Sequence, residues 1–151
     1  MRQTERGMTL LESAFALAIA GVMASISVPM TKSFITSYRL DSAVTAVSGA
    51  IQMTRYEALM HGAHYRVRFT HGSTSYQVAS QDPDTLIFTN AGNAVLWCTT
   101  NDVSIGADTT LEFYPNGTVV ATAGSTTLNV TNGQATETIT VSTVGNVSVS
   151  K

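Results

Sequence analysis

The sequence is organised around residues 8–30, which read MTLLESAFALAIAGVMASISVPM. Of these 23 residues, only Glu12 carries an ionisable side chain. Because a helix rises about 1.5 Å per residue, a helix of this length crosses a hydrocarbon core about 30 Å thick. The preceding residues, MRQTERG, include Arg2 and Arg6. Positive charge marks the cytoplasmic side, so the remainder of the chain is predicted to face the other side of the membrane.

Three interpretations of this segment compete. A secretory signal peptide also joins a basic start to an apolar run, and residues 18–20 (AIA) resemble its cleavage site, but the apolar run continues to Val28. A plain membrane anchor has no use for Glu12, because a carboxylate in an apolar segment is costly unless it is paired or neutralised. The third interpretation provides a partner. Cleavage after Gly7 leaves a free amino group on Met8, one helical turn from Glu12 or on a neighbouring subunit.

A second helical segment is predicted to follow without a break. Pro29 removes one backbone donor and is expected to kink the helix rather than end it. Apolar residues then recur every three or four positions, with polar ones between them, which predicts an amphipathic helix over about 31–60 that ends at Gly62. A continuous helix from Met8 to Met60 spans roughly 80 Å. Its second half carries one apolar stripe, as packing on a sheet requires.

From Gly62 onward the pattern favours β-structure. Apolar and polar residues alternate over 65–69 and 76–78 around a turn, and again over 111–114 and 118–120 around Pro115-Asn116-Gly117. Short apolar runs at 86–88 and 95–97 and Thr- and Val-rich segments at 126–130, 138–141 and 147–149 complete the predicted strands. The 90 residues from Gly62 contain 25 Ser or Thr and nine charged residues, which favours a secreted domain.

We therefore predict an α+β fold in which one long N-terminal helix packs on a C-terminal antiparallel β domain. The predicted segments are a leader over 1–7, an apolar membrane or filament-core helix over 8–30, an amphipathic helix over 31–61 and the β domain over 62–151. A net charge of −2 gives the chain no overall electrostatic attraction to nucleic acid. The single cysteine, Cys98, excludes a disulfide within the chain.

The candidate chemical groups favour structural roles. His61, His64 and His71 lack a third ligand at fixed spacing, so neither a metal site nor a cofactor is predicted. Asp82 and Asp84 flank a proline and indicate a turn. The chain contains no nucleophile elbow and no P-loop, and we predict that it is not an enzyme.

Two further candidates are a thiol and a pair of arginines. Cys98 follows Trp97 in an apolar run, which favours a buried, inert thiol. Arg66 and Arg68 alternate with Val67, and we interpret them as the exposed face of a solvated edge strand rather than as a phosphate or partner contact.

The N-terminal motif carries a family resemblance. Residues 6–12, RGMTLLE, resemble the signal of type IV prepilins and type II secretion pseudopilins. The resemblance implies that a prepilin peptidase cuts between Gly7 and Met8 and methylates the new terminus at Met8, which stands where phenylalanine is commoner. It also implies that Glu12 serves assembly. Gly21 and Pro29 fall where that family places residues that loosen or kink the helix.

Later segments are similar to the GspH/FimT family within that superfamily. The matching segments are residues 54–59 followed by 67–69, the turn over 111–117, and residues 138–141 with Gly145. The resemblance implies a minor pseudopilin of a type II secretion system. A minor pilin of a type IV pilus, a DNA-uptake receptor at a pilus tip and an unrelated membrane-anchored binding domain remain as alternatives.

The same resemblance implies partners and a location. The expected partners are other pseudopilin or pilin subunits, the prepilin peptidase and the bacterial inner membrane, which the chain crosses once, with its C-terminal domain in the periplasm. DNA-binding relatives carry two arginines where this chain has Gly145-Asn146-Val147-Ser148. Only three basic residues follow Gly62, so no nucleic-acid partner is expected.

Overall fold

The computed structural model describes residues 9–151, and at Pro29 only the backbone. The predicted cleavage site at Gly7 and Met8 and the leader over 1–7 lie outside the described residues. One helix, α1, spans Leu10–His61 and includes Gly21 and Pro29. The chain divides into two compact units, one up to Thr36 and one from Ser37 to Lys151, and α1 contributes to both.

Ten short strands follow within residues 62–151, all of which the structure describes. They are β1 (Tyr65–Phe69), β2 (Ser75–Gln81), β3 (Phe88–Asn90), β4 (Val95–Leu96), β5 (Ser104–Ile105), β6 (Thr109–Phe113), β7 (Val119–Ala123), β8 (Thr127–Thr131), β9 (Thr136–Val141) and β10 (Val147–Ser150). One sheet has the order β3-β2-β1-β6-β7, with β4 also paired to β2, and the other has the order β10-β9-β8-β5. Every pairing in these two sheets is antiparallel.

The core of the second unit joins one face of α1 to both sheets. The buried helix residues keep the predicted spacing of three or four: Leu40, Ala43, Val44, Val47, Ala50, Ile51 and Ala58. They belong to one cluster with inward-facing strand residues such as Phe69, Phe113 and Ile139. The predicted α+β arrangement, a helix packed on antiparallel β-structure, is therefore confirmed.

Glycine ends the helix as predicted. Gly62 has φ +62°, the left-handed conformation that commonly closes a helix and that costs a residue without Cβ little. Both predicted hairpins form, with β1 paired to β2 and β6 paired to β7.

One local prediction is wrong, and one strand was not predicted. Residues 86–88 are not one strand, because Leu86 adopts φ +58° in a turn and only Phe88 belongs to β3. The structure also contains β5, a two-residue strand that no apolar run in the sequence predicted.

Candidate functional site

The first candidate is the apolar segment of α1, residues 10–30, because its large apolar side chains are exposed. Its large apolar side chains are exposed on every side of the helix: Leu10, Leu11, Phe15, Leu17, Ile19, Val22, Met23, Ile26, Val28 and Met30. By length and composition, α1 contains a stretch able to cross a membrane, and none of that stretch is buried. Exposed apolar surface of this extent is typical of segments that lipid or other protein subunits cover.

Glu12 lies in the first turn of this helix and is exposed. Its backbone N–H donates to Thr9 Oγ1 at 3.2 Å, and the Ser13 N–H donates to the Thr9 carbonyl at 3.1 Å. Thr9 is thus the N-cap, and Thr9-Leu10-Leu11-Glu12 has the S/T-x-x-E spacing of a capping box. A carboxylate at this position also interacts favourably with the helix dipole, and the T-x-x-E spacing was the signal in the sequence that could have indicated this second role.

Arg66 is not on a solvated edge strand, so that prediction is wrong. Strand β1 lies between β2 and β6 inside its sheet. Arg66 Nε and Nη2 lie 2.8 and 2.7 Å from Glu112 Oε2, and the guanidinium carbon is 3.6 Å from the centroid of the Phe88 ring. Arg68, on the same face, is exposed as predicted.

His64 completes a network around the same carboxylate. Its Nδ1 lies 3.0 Å from Glu112 Oε1, and its ring packs edge-on against Tyr114 with centroids 4.5 Å apart. The Glu112 side chain is only 7% exposed. Both oxygens of this buried carboxylate therefore have partners, as burial of a charge requires. His64, Arg66 and Glu112 are therefore paired with one another, and these contacts stabilise the sheet.

The other candidate groups have structural surroundings. His61 Nδ1 lies 3.1 Å from Glu57, and His71 Nδ1 donates to the Ile105 carbonyl at 2.5 Å. Among residues 9–151 no three His, Cys, Asp or Glu side chains are grouped so as to hold a metal ion. Cys98 is half-buried, with Sγ 3.1 Å from the carbonyl oxygen of Thr100.

The turn predicted at Asp82 is confirmed. Its Oδ1 accepts hydrogen bonds from the backbone N–H groups of Asp84 and Thr85. The hydrogen bond from the Asp84 N–H is the main reason that the pKa of Asp82 lies below its ordinary value. Desolvation opposes this shift, and the weaker contributions from Thr85 add to it. The carboxylate thus fixes backbone geometry in an Asx turn.

Lys151, which follows β10, contacts α1 and β9. Lys151 Nζ lies 2.9 Å from Asp41 Oδ1 and 3.4 Å from Glu137 Oε1. The hydrogen bond from Lys151 is the main reason that the pKa of Asp41 lies below its ordinary value, and the bond to Asp41 raises the pKa of Lys151. Lys151 is held by two carboxylates and Arg66 by a third. Among the lysines and arginines after Gly62, all of which the structure describes, only Arg68 forms no ion pair.

The glycine turn at residue 145 is shaped around Arg55 of α1. Gly145 has φ +77°, and a β-carbon there would lie 2.6 Å from Arg55 Nε. That nitrogen is buried, and it has no hydrogen-bond acceptor among the described residues. Gly117, in the turn between β6 and β7, packs against the same side chain. The turns at Gly117 and Gly145, which both belong to the segments similar to the GspH/FimT family, therefore contact the same helix residue, Arg55.

A family model described as type II transport protein GspH matches residues 43–145 of the chain. The match begins inside the buried face of α1 and ends at the turn that packs on Arg55. It therefore spans the helix–sheet core and nine of the ten strands described above. Searches of curated proteins and of solved structures give no significant match.

Proposed function

The chain belongs to the GspH family of type II transport proteins, and from this we propose that it is a minor pseudopilin of a type II secretion pseudopilus. The match over residues 43–145 is the observation that carries the proposal, and the exposed apolar segment of α1 supports it. In this role the chain is a structural subunit that takes part in moving proteins across the outer membrane, and it performs no catalysis.

The proposed life cycle starts in the inner membrane. The apolar segment anchors the precursor, with the β domain in the periplasm, until prepilin peptidase cuts between Gly7 and Met8 and methylates Met8. In the fibre, helices of neighbouring subunits replace lipid around the apolar segment. Glu12 pairs with the methylated amine within or between subunits, because a carboxylate in such surroundings is stable only with a cationic partner. Gly21 and Pro29 allow the helix to bend as it packs.

A type IV pilus uses subunits with the same N-terminal chemistry, and a minor pilin is the second candidate. The motif over residues 6–12 suits either machine equally. The two differ in which process fails when the subunit is lost.

The decisive experiment deletes the gene and measures both extracellular protein content and surface piliation. Loss of secretion that is restored by the intact gene supports the pseudopilin role, and loss of pili with normal secretion supports the pilin role. If neither process changes, both assignments are wrong.

Intact-mass analysis of the protein extracted from membranes tests the processing step. The expected mass corresponds to a chain that starts at a methylated Met8, while a Gly7→Glu variant is expected to keep the full-length mass. A wild-type mass that matches cleavage near Ala20, or the uncut chain, contradicts the proposed processing.

A further inference from the structure

Arg55 carries a positive charge that no described residue neutralises. Some arginines and lysines of the second unit form ion pairs and others form none with residues 9–151: the paired side chains are Arg39, Arg66 and Lys151, and the unpaired ones are Arg55 and Arg68. Arg68 is exposed to water, whereas Arg55 is half-buried and its Nε is shielded from solvent without an acceptor among those residues. Burial makes an unpaired charge costly, so a partner from outside the chain stabilises Arg55 more than Arg68.

Two glycine turns hold the Arg55 side chain in place. A β-carbon at Gly145 would lie 2.6 Å from Arg55 Nε and 2.7 Å from Cδ, and a β-carbon at Gly117 would lie 3.6 Å from Nη2. The turns cover one edge of the guanidinium but supply no acceptor for Nε. Packing therefore orients the guanidinium without using its donors, and this order lowers the entropy cost of binding an acceptor.

A polar cavity lies beside Arg55 in the second unit. It has a volume of about 340 Å³ and is lined by Gln52 and Arg55 of α1 and by residues 145–147. The side chains of Gln52 and Asn146 are exposed, so their amide groups can donate to a molecule in the cavity. None of the lining residues is acidic. The cavity therefore combines one positive charge with two amide groups and needs an anion to balance it.

The donors at the cavity fit a carboxylate. A guanidinium and a carboxylate form parallel charge-assisted hydrogen bonds, and this geometry is the reason that arginine recognises carboxylates well. A nucleic acid fits less well, because its affinity depends on several phosphate contacts and only one cation lines this cavity.

Exposed apolar side chains next to Arg55 indicate that the carboxylate belongs to a protein. Leu59 lies one helical turn after Arg55 and also packs against Gly117, with its Cδ2 3.4 Å from a β-carbon placed there. Leu59, Tyr56 and Met60 are exposed. Arginine, tyrosine and methionine are enriched in protein interfaces. A small free anion would leave these apolar side chains in water, whereas an acidic side chain with apolar neighbours on a partner protein would cover them.

We propose that Arg55 and this cavity bind the carboxylate of an aspartate or glutamate on a neighbouring subunit of the fibre. The inference rests on the proposed function, which supplies that neighbour. The contact lies in the second unit and is separate in sequence from Glu12 and the apolar segment. It adds a contact that depends on charge and orientation to the apolar contacts of the fibre.

A titration of the wild-type chain tests the class of ligand. The full chain, labelled with nitrogen-15 at arginine, is studied by NMR in detergent micelles with four probes: the capped peptide Leu-Glu-Leu, its analogue Leu-Gln-Leu, acetate and inorganic phosphate. We expect Leu-Glu-Leu to shift the Nε–H signal of Arg55 saturably, and Leu-Gln-Leu to bind about tenfold more weakly, because hydrogen bonds to charged groups are the stronger ones. The Arg68 signal is the internal control.

Each other result of the titration overturns a stated part of the inference. Acetate binding as tightly as Leu-Glu-Leu overturns the protein partner, since the apolar neighbours then contribute nothing. Tighter binding of phosphate than of the peptide overturns the carboxylate. Absence of any shift at Arg55 refutes the site.

A zero-length cross-link identifies the partner carboxylate in membranes from cells that make the fibre. Arg55→Lys places a primary amine at the cavity, and a carbodiimide joins this amine to a touching carboxylate as an amide, with release of a urea. Arg68→Lys is the matched control, because it replaces an unpaired arginine of the same unit outside the cavity lining. Mass spectrometry is expected to find position 55 coupled to an aspartate or glutamate of another subunit, and position 68 uncoupled.

The outcomes distinguish failure of this inference from failure of the proposed function. If Arg55→Lys is folded by circular dichroism and secretion depends on the gene, but position 55 couples to no other subunit, the inference is wrong and the proposed function stands. If Arg55→Lys does not fold, the titration of the wild-type chain decides. If deletion of the gene changes neither secretion nor piliation, the proposed function is wrong and the contact with a fibre subunit is refuted with it.

Discussion

Glu112→Gln is expected to lower the free energy of unfolding of the second unit, because the buried Glu112 carboxylate binds both Arg66 and His64. Glu112 in β6 lies directly opposite Arg66 in β1, and His64 approaches its other oxygen. The glutamine variant keeps the shape of the side chain but removes the charge. It also turns an NH₂ group toward one of two side chains that donate to the native carboxylate.

The size of the effect follows from the exposure of the three partners. Breaking one side of a buried ion pair costs about 3–5 kcal/mol, and a hydrogen bond to a charged group contributes about 1.5–3 kcal/mol. Arg66 and His64 are 33% and 31% exposed, so water compensates part of their loss. We therefore expect a loss of about 2–3 kcal/mol in the free energy of unfolding. For a unit of this size that corresponds to a fall in Tm of roughly 10 °C.

The assay is urea and thermal unfolding of the full chain in detergent micelles, followed through the buried Trp97. Glu57→Gln is the control, because Glu57 pairs with His61 one turn away on the helix surface, where such pairs contribute about 0.5 kcal/mol or less. An Arg66→Met variant, alone and combined with Glu112→Gln, measures the coupling between the two side chains. A loss in Glu112→Gln no larger than in Glu57→Gln, or a coupling near zero, refutes the stabilising role of the network.

Three further predictions test the two ends of the chain and its charge. Glu12→Ala is expected to keep membrane insertion but to reduce cross-linking to neighbouring subunits, because the Met8 amine loses a partner at a cost of about 3–5 kcal/mol. Glu12→Gln is the control, because it keeps the spacing of the capping box and removes only the charge. Normal cross-linking in Glu12→Gln would assign the residue to helix capping instead of pairing with the amine. Lys151→Met is expected to move the pKa of Asp41 up toward its ordinary value in a carbon-13 NMR titration, since Lys151 is the main cause of its depression; an unchanged Asp41 titration means that the contact does not persist in solution. The wild-type pair stabilises the fold above the unfolded-state pKa of Asp41, and this contribution disappears as the pH falls through the depressed value. In a gel-shift titration the full chain is expected not to bind DNA in the low-micromolar range at about 150 mM salt, and binding in that range would favour the DNA-uptake alternative.

Local patterns were enough to predict the elements whose causes are local. The helix end at Gly62 follows from one residue that tolerates a left-handed backbone, and the hairpins follow from alternation around short turns. Leu86 shows where such reasoning stops. Its run of apolar neighbours predicted a strand, but Asp82 accepts the Leu86 N–H at 2.9 Å through its backbone carbonyl and holds the segment in a turn.

The sequence by itself determined that the first part of α1 is apolar on all sides and needs a partner outside the chain, because composition and length alone set that requirement. It also determined the buried stripe of the second part, since helical periodicity requires no knowledge of what covers it. Only the tertiary structure decided the state of Arg66, which looked solvated until β6 placed Glu112 beside it, 46 residues away. The same holds for Arg55, which two glycine turns enclose, and for Trp97, whose unmet N–H depends on what surrounds it. Burial and pairing are properties of contacts between distant segments, and no local pattern encodes which segments will meet.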